Sequence, residues 1–279
     1  MKHEGSLEFL TYAPQGDYVV SAGGKFLRVW DVASGREMAH MDHDQDVVSV
    51  AFSADGTTIV STSLGGTAQV WEALTGRELV RLQHGRLVQA TALSPDGKYV
   101  VLTGCDVAEE GFIFSCPQAS ARVWEVSTGK PVASVLHDDV PLAVAFSPDG
   151  NYVASVGCAR WNPEFVCIES RARVWEAVSG REIARMTHDQ LMVAVAFSPD
   201  GKFIATGSEG SAQIWSWQPG DVIASACAYV RRNLSPAEWA QYIGDAVPYP
   251  ENQEGAVCPA FALDPQVTAT PISIPLQAP

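Results

Sequence analysis

The sequence predicts an all-β fold built from five copies of one four-stranded unit. Three observations predict it. A Val-Trp or Ile-Trp pair recurs at Trp30, Trp71, Trp124, Trp175 and Trp215. After each of the first four, a histidine follows thirteen residues later, at His43, His84, His137 and His188. Twelve residues after each histidine comes an Asp-Gly turn, at Asp55, Asp96, Asp149 and Asp200. His3 and Gln15-Gly16 keep that spacing in a degenerate first copy.

Taken in order, each unit reads as four short strands. "VVSVAFS", "LAVAFS" and "MVAVAFS" are small and β-branched runs that stop before the Asp-Gly turn. "TTIVST", "KYVVLTG", "NYVASVG" and "KFIATGS" follow the turn and alternate again. "TAQVW", "ARVWE" and "AQIW" form the third strand, and a Ser/Thr-Gly turn ("SGRE", "TGRE", "TGKP") leads into a fourth. Four strands in roughly forty residues is the period of a propeller blade.

With those residues in view, "HDQDVVSVAFSADGTTIVSTSLGGTAQVWEALTGRELVRL" resembles a WD-repeat blade, and five such copies cover residues 3–217. The resemblance implies a WD-repeat β-propeller that presents its faces to partner proteins. It also implies a hydrogen-bonded tetrad of His, Ser/Thr, Trp and Asp in each blade. The hydroxyl position is filled by Ser21, Ser61, Ser155 and Thr206, but by Leu102 in the third copy. The Asp position holds Gly24, Gly65, Gln118, Glu169 and Glu209, so packing is expected to carry more of the stability than the tetrad.

Ring closure is not evident. The first copy begins directly at its innermost strand, and the fifth runs past Trp215 into "SWQPGDVIASACAYVRR" without a fourth strand. Two exposed edges would remain. The chain is therefore expected to be the C-terminal part of a longer propeller protein. A five-bladed ring, or an arc completed by another chain, are the alternatives.

Residues 218–250 change character. "GDVIASACAYVRR" has apolar residues at helical spacing, and Ser235-Pro236 with Glu238 reads as a capping box stopped by Gly244. This short helical extension resembles the tail that follows WD-repeat propellers in large bacterial signalling ATPases of the STAND/NACHT class. The ATPase itself is not encoded, since no GxxxxGK[ST] loop is present. Residues 251–279, with five prolines, read as a disordered tail.

Composition narrows the partner class. Lys+Arg number 18 against 32 Asp+Glu, a net charge of −14, which argues against a nucleic-acid backbone as partner. No apolar run approaches the length of a membrane span, and the first residues lack the apolar core of a signal peptide. A cytoplasmic location is the expectation, with no membrane partner.

No catalytic constellation, metal site or cofactor motif stands apart from the repeat. The tetrad position accounts for His3, His43, His84, His137 and His188; His40 lies off phase and reads as a surface residue. Two insertions do stand apart. From turn Asp to Trp the chain takes 16 and 15 residues in the second and fifth copies, but 28 and 26 in the third and fourth. The extra length falls between the second and third strands, on the face that carries the histidine loops. Cys105 and Cys158 each lie nine residues after the turn Asp, and Cys116 and Cys167 each lie eight before the Trp. Matched offsets on a hairpin bring each pair together at the base of its loop.

Three readings stay open for these cysteines: two disulfides, reduced thiols as a cytosolic location favours, or a joint zinc site whose spacings lack the short knuckle. Cys227 and Cys258 form a third candidate pair. Between the cysteines stand Phe112, Ile113 and Phe114 in one loop and Trp161, Phe165 and Val166 in the other. Aromatics on long loops of a rigid scaffold supply binding surfaces, although two such tips can also pack on each other. The predicted function is a non-enzymatic protein-interaction scaffold or sensor, part of a larger bacterial signalling protein whose upstream blades or domains are further partners. The alternative is a stand-alone propeller that binds a small ligand, or acts as an enzyme, at the face capped by the two insertions.

Overall fold

The computed structural model describes residues 7–85, 87–107, 116, 118–164 and 166–218. The chain divides into two compact units, Met1–Trp217 and Gln218–Pro279. Beyond Gln218, the helical extension and tail expected from the sequence lie outside the described residues, as do His3, Cys227 and Cys258.

The described part of the first unit is all-β, with no helix among the described residues. Five antiparallel sheets follow one another along the chain, each a meander. Sheet one holds β1 (Phe9–Tyr12), β2 (Tyr18–Gly23), β3 (Phe26–Asp31) and β4 (Glu37–Asp42). Sheet two holds β5 (Val47–Phe52), β6 (Thr58–Ser63), β7 (Thr67–Glu72) and β8 (Arg77–Gln83). Sheet three holds β9 (Leu87–Leu93), β10 (Tyr99–Val107), β11 (Gln118–Glu125) and β12 (Lys130–His137). Sheet four holds β13 (Ala143–Phe146), β14 (Tyr152–Trp161), β15 (Cys167–Glu176) and β16 (Glu182–His188). Sheet five has three strands: β17 (Met192–Phe197), β18 (Phe203–Ser208) and β19 (Ser211–Ser216). The first strands of sheets two to five lie against one another, β5 with β9, β9 with β13 and β13 with β17.

The turn between first and second strands shows why the Asp-Gly pair recurs. Asp55 Oδ1 accepts from the Ser53 hydroxyl at 2.6 Å and from the Thr57 amide at 3.0 Å. Ser94–Asp96, Ser147–Asp149 and Ser198–Asp200 repeat the arrangement. The carboxylate thereby replaces the partners that the reversing backbone gives up. Gly56 completes the turn at φ 68°, where a Cβ would be strained.

Packing follows a single rule. On the face each sheet turns toward the next are aliphatic side chains, such as Val20, Ala22, Leu27 and Val29 of sheet one. On the face it turns toward the previous sheet are the Trp and the aliphatic residue after the turn. These pair across strands as Ile59 with Trp71, Val100 with Trp124, Val153 with Trp175 and Ile204 with Trp215. Thus Ile59 and Trp71 pack on sheet one, and Val153 and Trp175 on Val101, Ala121 and Val123 of sheet three. The core is four such sheet-to-sheet layers, in which each buried Val or Ile contributes about 1.5–3 kcal/mol.

The tetrad is present only in part. Ser61 accepts from the Trp71 indole at 2.8 Å and lies 2.6 Å from His43 Nε2. Ser155 links Trp175 and His137 in the same way, both at 3.3 Å. Trp30 donates to Ser21 and Trp215 to Thr206. His188 instead accepts the Gln190 amide on Nδ1. Burial makes the His43 and His137 imidazoles hard to charge: His43 is held at a pKa of about 4 and His137 at about 3, with the neighbouring Arg81 and Arg173 charges adding to the effect.

Candidate functional site

Sheets three and four differ from the others in the length of their central hairpin. β6 and β18 have six residues each, whereas β10 has nine and β14 has ten. The extra residues run beyond the outer strand of sheet four, since β15 pairs with β16 only from Ser170 onward while its partner β14 extends to Trp161. The longer β-paired arms therefore carry the roots of both insertions beyond the length of the other hairpins.

A disulfide closes each projection. Cys105 is bonded to Cys116, and Cys158 to Cys167, with Cα atoms 5.7 and 5.8 Å apart. Neither bridge joins directly paired residues. Cys105 faces Ala119 and Cys158 faces Ser170, and the register shifts beyond both positions. The bulges supply the offset that lets the sulfurs meet. Among the described residues, no group of three His, Cys, Asp or Glu is placed to hold a metal.

The hairpin of sheet four is tied to the loop between β12 and β13. Trp161 at its tip donates its indole N–H to Asp139 Oδ2 at 2.6 Å while its residue stays 43% exposed. Asp138 in the same loop meets Arg171 and Arg173 at 2.8 Å each. Arg171 also pairs with Glu169 at 2.7 Å, and Arg160 reaches Glu169 at 3.4 Å. Arg173 is nearly buried and donates to the Leu136 carbonyl at 2.9 Å, so its charge is satisfied from two sides. The turn is built on Asn162, whose carbonyl side-chain oxygen accepts the Glu164 and Val166 amides. Val166 and Ile168 of the same hairpin are exposed as well.

Of the five predicted partner-binding residues, the structure places Trp161; Phe112, Ile113, Phe114 and Phe165 lie outside the described residues. The sequence reading passed over Asp138, Asp139, Arg171 and Arg173. Their signal was present: the third His is followed by two acids, "HDD", and "SRARVW" sets two arginines at strand spacing on one face.

In sheet three the corresponding carboxylate is Asp106, paired with Arg122 at 2.8 Å and lying 3.9 Å from His84 Nε2. Burial holds His84 at a pKa of about 4 even though the Asp106 charge pulls the other way.

Comparison with known proteins agrees with this architecture. The family described as "WD domain, G-beta repeat" matches residues 36–72, 129–164 and 180–216. Each match starts near the outer strand of one sheet and ends in the next, so the sequence repeat is staggered by one strand against the sheets. The chain is also 33% identical over 66 residues to a U3 small nucleolar RNA-associated protein 15 homolog from Xenopus tropicalis. That similarity spans 23% of this chain and 13% of the relative. The chain carries WD40 repeats, the type of repeat that mediates contacts between proteins.

Proposed function

We propose that this chain is a non-enzymatic protein-interaction module, a scaffold or sensor that docks a partner protein on the two cystine-closed hairpins. In this reading it works as part of a larger bacterial signalling protein. The observation that carries the proposal is Trp161, an aromatic ring held by Asp139 on a stiff hairpin and still 43% exposed. A preordered amphipathic ring loses little entropy on binding, which is why Trp recurs among the dominant residues of interfaces. The same hairpin exposes the apolar Val166 and Ile168 and carries the Arg171–Asp138–Glu169 charged group.

The test is quantitative capture of interacting proteins by the wild-type chain and by a variant with Phe112, Phe114, Trp161 and Phe165 all replaced by Ala. A Val178→Ala chain, altered at an exposed residue elsewhere, is the control. The expected result is at least one protein retained by wild type and control and lost by the fourfold variant, with unchanged circular dichroism. If no captured protein distinguishes the variant from the control, the reading fails.

A further inference from the structure

The pairing of β14 with β15 is interrupted on both strands near the hairpin end, and the cystine spans both interruptions. Cys158 faces Ser170, Arg160 faces Glu169 and Trp161 faces Cys167, so Ala159 and Ile168 are each left without a partner. With one extra residue on each strand, the two bulges cancel. The strands have the same register at Cys158 as at Trp161.

A regular ladder can therefore join the same two ends. It keeps Cys158 opposite Ser170 and Trp161 opposite Cys167, and sets Ala159 opposite Glu169 and Arg160 opposite Ile168 between them. In that ladder Cys158 and Cys167 lie about 10 Å apart along the strands and about 5 Å across them. Their Cα atoms would be about 11 Å apart, beyond the roughly 7 Å that a disulfide spans. In the bonded hairpin the distance is 5.8 Å. The cystine and the regular ladder exclude each other, so the bond selects the bulged form. Sheet three repeats the device, since Cys105 faces Ala119 yet bonds Cys116, and Asp106 is the residue left over.

The bulged form also sets the position of Trp161. The bond holds Cys158 close to Cys167, the residue that faces Trp161, and the indole then reaches Asp139 in the β12–β13 loop. A regular strand instead carries the Trp161 Cα about 10 Å from that of Cys158. A hydrogen bond does not survive a displacement of that kind.

We propose that Cys158–Cys167 is a thiol–disulfide switch on the docking surface, an inference that rests on the docking role proposed above. The reductant is a dithiol. Its thiolate attacks one sulfur, its second thiol resolves the mixed disulfide, and it departs as a disulfide. Two electrons and two protons pass to the chain, leaving thiols at Cys158 and Cys167. The hairpin then takes the regular ladder, Trp161 leaves Asp139, and the docking ring loses its fixed position. Both cysteines are nearly buried, so exchange follows opening of the hairpin end, where β16 pairs with β15 only from Ser170 onward.

The experiment compares the full chain before and after dithiothreitol by NMR, reading backbone contacts across the hairpin and the Trp161 indole N–H. The oxidised chain should show Arg160 opposite Glu169 and an indole signal that Asp139→Asn shifts. The reduced chain should show Arg160 opposite Ile168 and an indole signal that Asp139→Asn leaves in place. A chain with Cys158→Ser and Cys167→Ser should match the reduced pattern without reductant, which separates this bond from Cys105–Cys116. Arg160 opposite Glu169 in both states overturns the proposal. So does loss of the fold on reduction, because the bond is then a fastening and not a switch. These readings need no partner. Retention of a protein captured by the oxidised chain should weaken about tenfold on reduction, and equal retention in both states overturns the regulatory role. If the ladder changes but no protein is captured, the docking reading fails and the switch stands.

Discussion

Trp124 keeps its indole N–H unpaired because Leu102 stands where the neighbouring sheets carry a hydroxyl. Ser61 and Ser155 each join a Trp to the preceding His. Leu102 is instead wholly buried among Val60, Val70 and Val100, so sheet three exchanges a polar link for packing. His84 loses the same partner and has Asp106 as its nearest charge, at 3.9 Å. One substitution in the repeat therefore separates two side chains that sheets two and four connect.

Replacing Trp by Phe should expose this difference. Trp71→Phe removes a buried hydrogen bond and leaves Ser61 with less satisfaction, whereas Trp124→Phe removes a donor that has no acceptor. The Trp71 variant should lose about 1–2 kcal/mol more stability than the Trp124 variant, since an unmet buried polar group costs that much. Urea unfolding of both variants measures the gap. Equal losses would show that Trp124 has an acceptor after all.

The two bridges should account for a large share of the rigidity of the projections. Closing loops with sequence separations of 11 and 9 residues contributes about 3 kcal/mol each in the chain-entropy model. Cys116→Ser and Cys167→Ser should each lower stability by about that amount, and reductant should then have a smaller further effect on each variant than on wild type. A reducing cytoplasm would hold the same cysteines as thiols. Unfolding curves with and without reductant, together with the intact mass under both conditions, check this. A wild-type curve that does not respond to reductant would contradict it.

Most of the architecture was legible in the sequence because repeated geometry imposes repeated chemistry. The Trp, His and Asp-Gly spacings fix a four-stranded meander, and the matched cysteine offsets mark where two hairpins lengthen. What the spacing did not convey was close approach. Gly104 and Gly157 precede Cys105 and Cys158, and only the recurrence of Gly-Cys was visible. In the structure, a Cβ on Gly104 would lie 1.9 Å from the Leu87 carbonyl, and one on Gly157 would lie 3.1 Å from the Pro141 backbone. These glycines let the incoming first strand, or the loop before it, pass across the hairpin root. Such a requirement depends on which backbones meet, and no local pattern encodes it. The Asp139–Trp161 bond was hidden for the same reason, because its partners lie 22 residues apart on different elements.

Stability should fall as the solution is acidified from neutrality, before the aspartates of the turns are protonated. Unfolded histidine titrates near 6.5, whereas burial holds His43 and His84 at about 4 and His137 at about 3. Below pH 6.5 the unfolded chain takes up protons that the folded chain refuses, so the contribution is complete above that value. It is lost progressively as pH drops toward 4. Each of the three should contribute on the order of 1–3 kcal/mol across this window. Ser94 and Lys98 hold Asp96 at about 2 against the opposing effect of its burial, so its contribution disappears only below the ordinary carboxylate range. Urea midpoints at pH 7.5, 6.5, 5.5 and 4.5 follow the histidine window alone. His43→Asn should reduce the slope between 6.5 and 4.5 by about a third, the share of one group among three similar ones. A midpoint that holds steady down to pH 4.5 would mean that these imidazoles take up protons in the folded state, which their burial opposes.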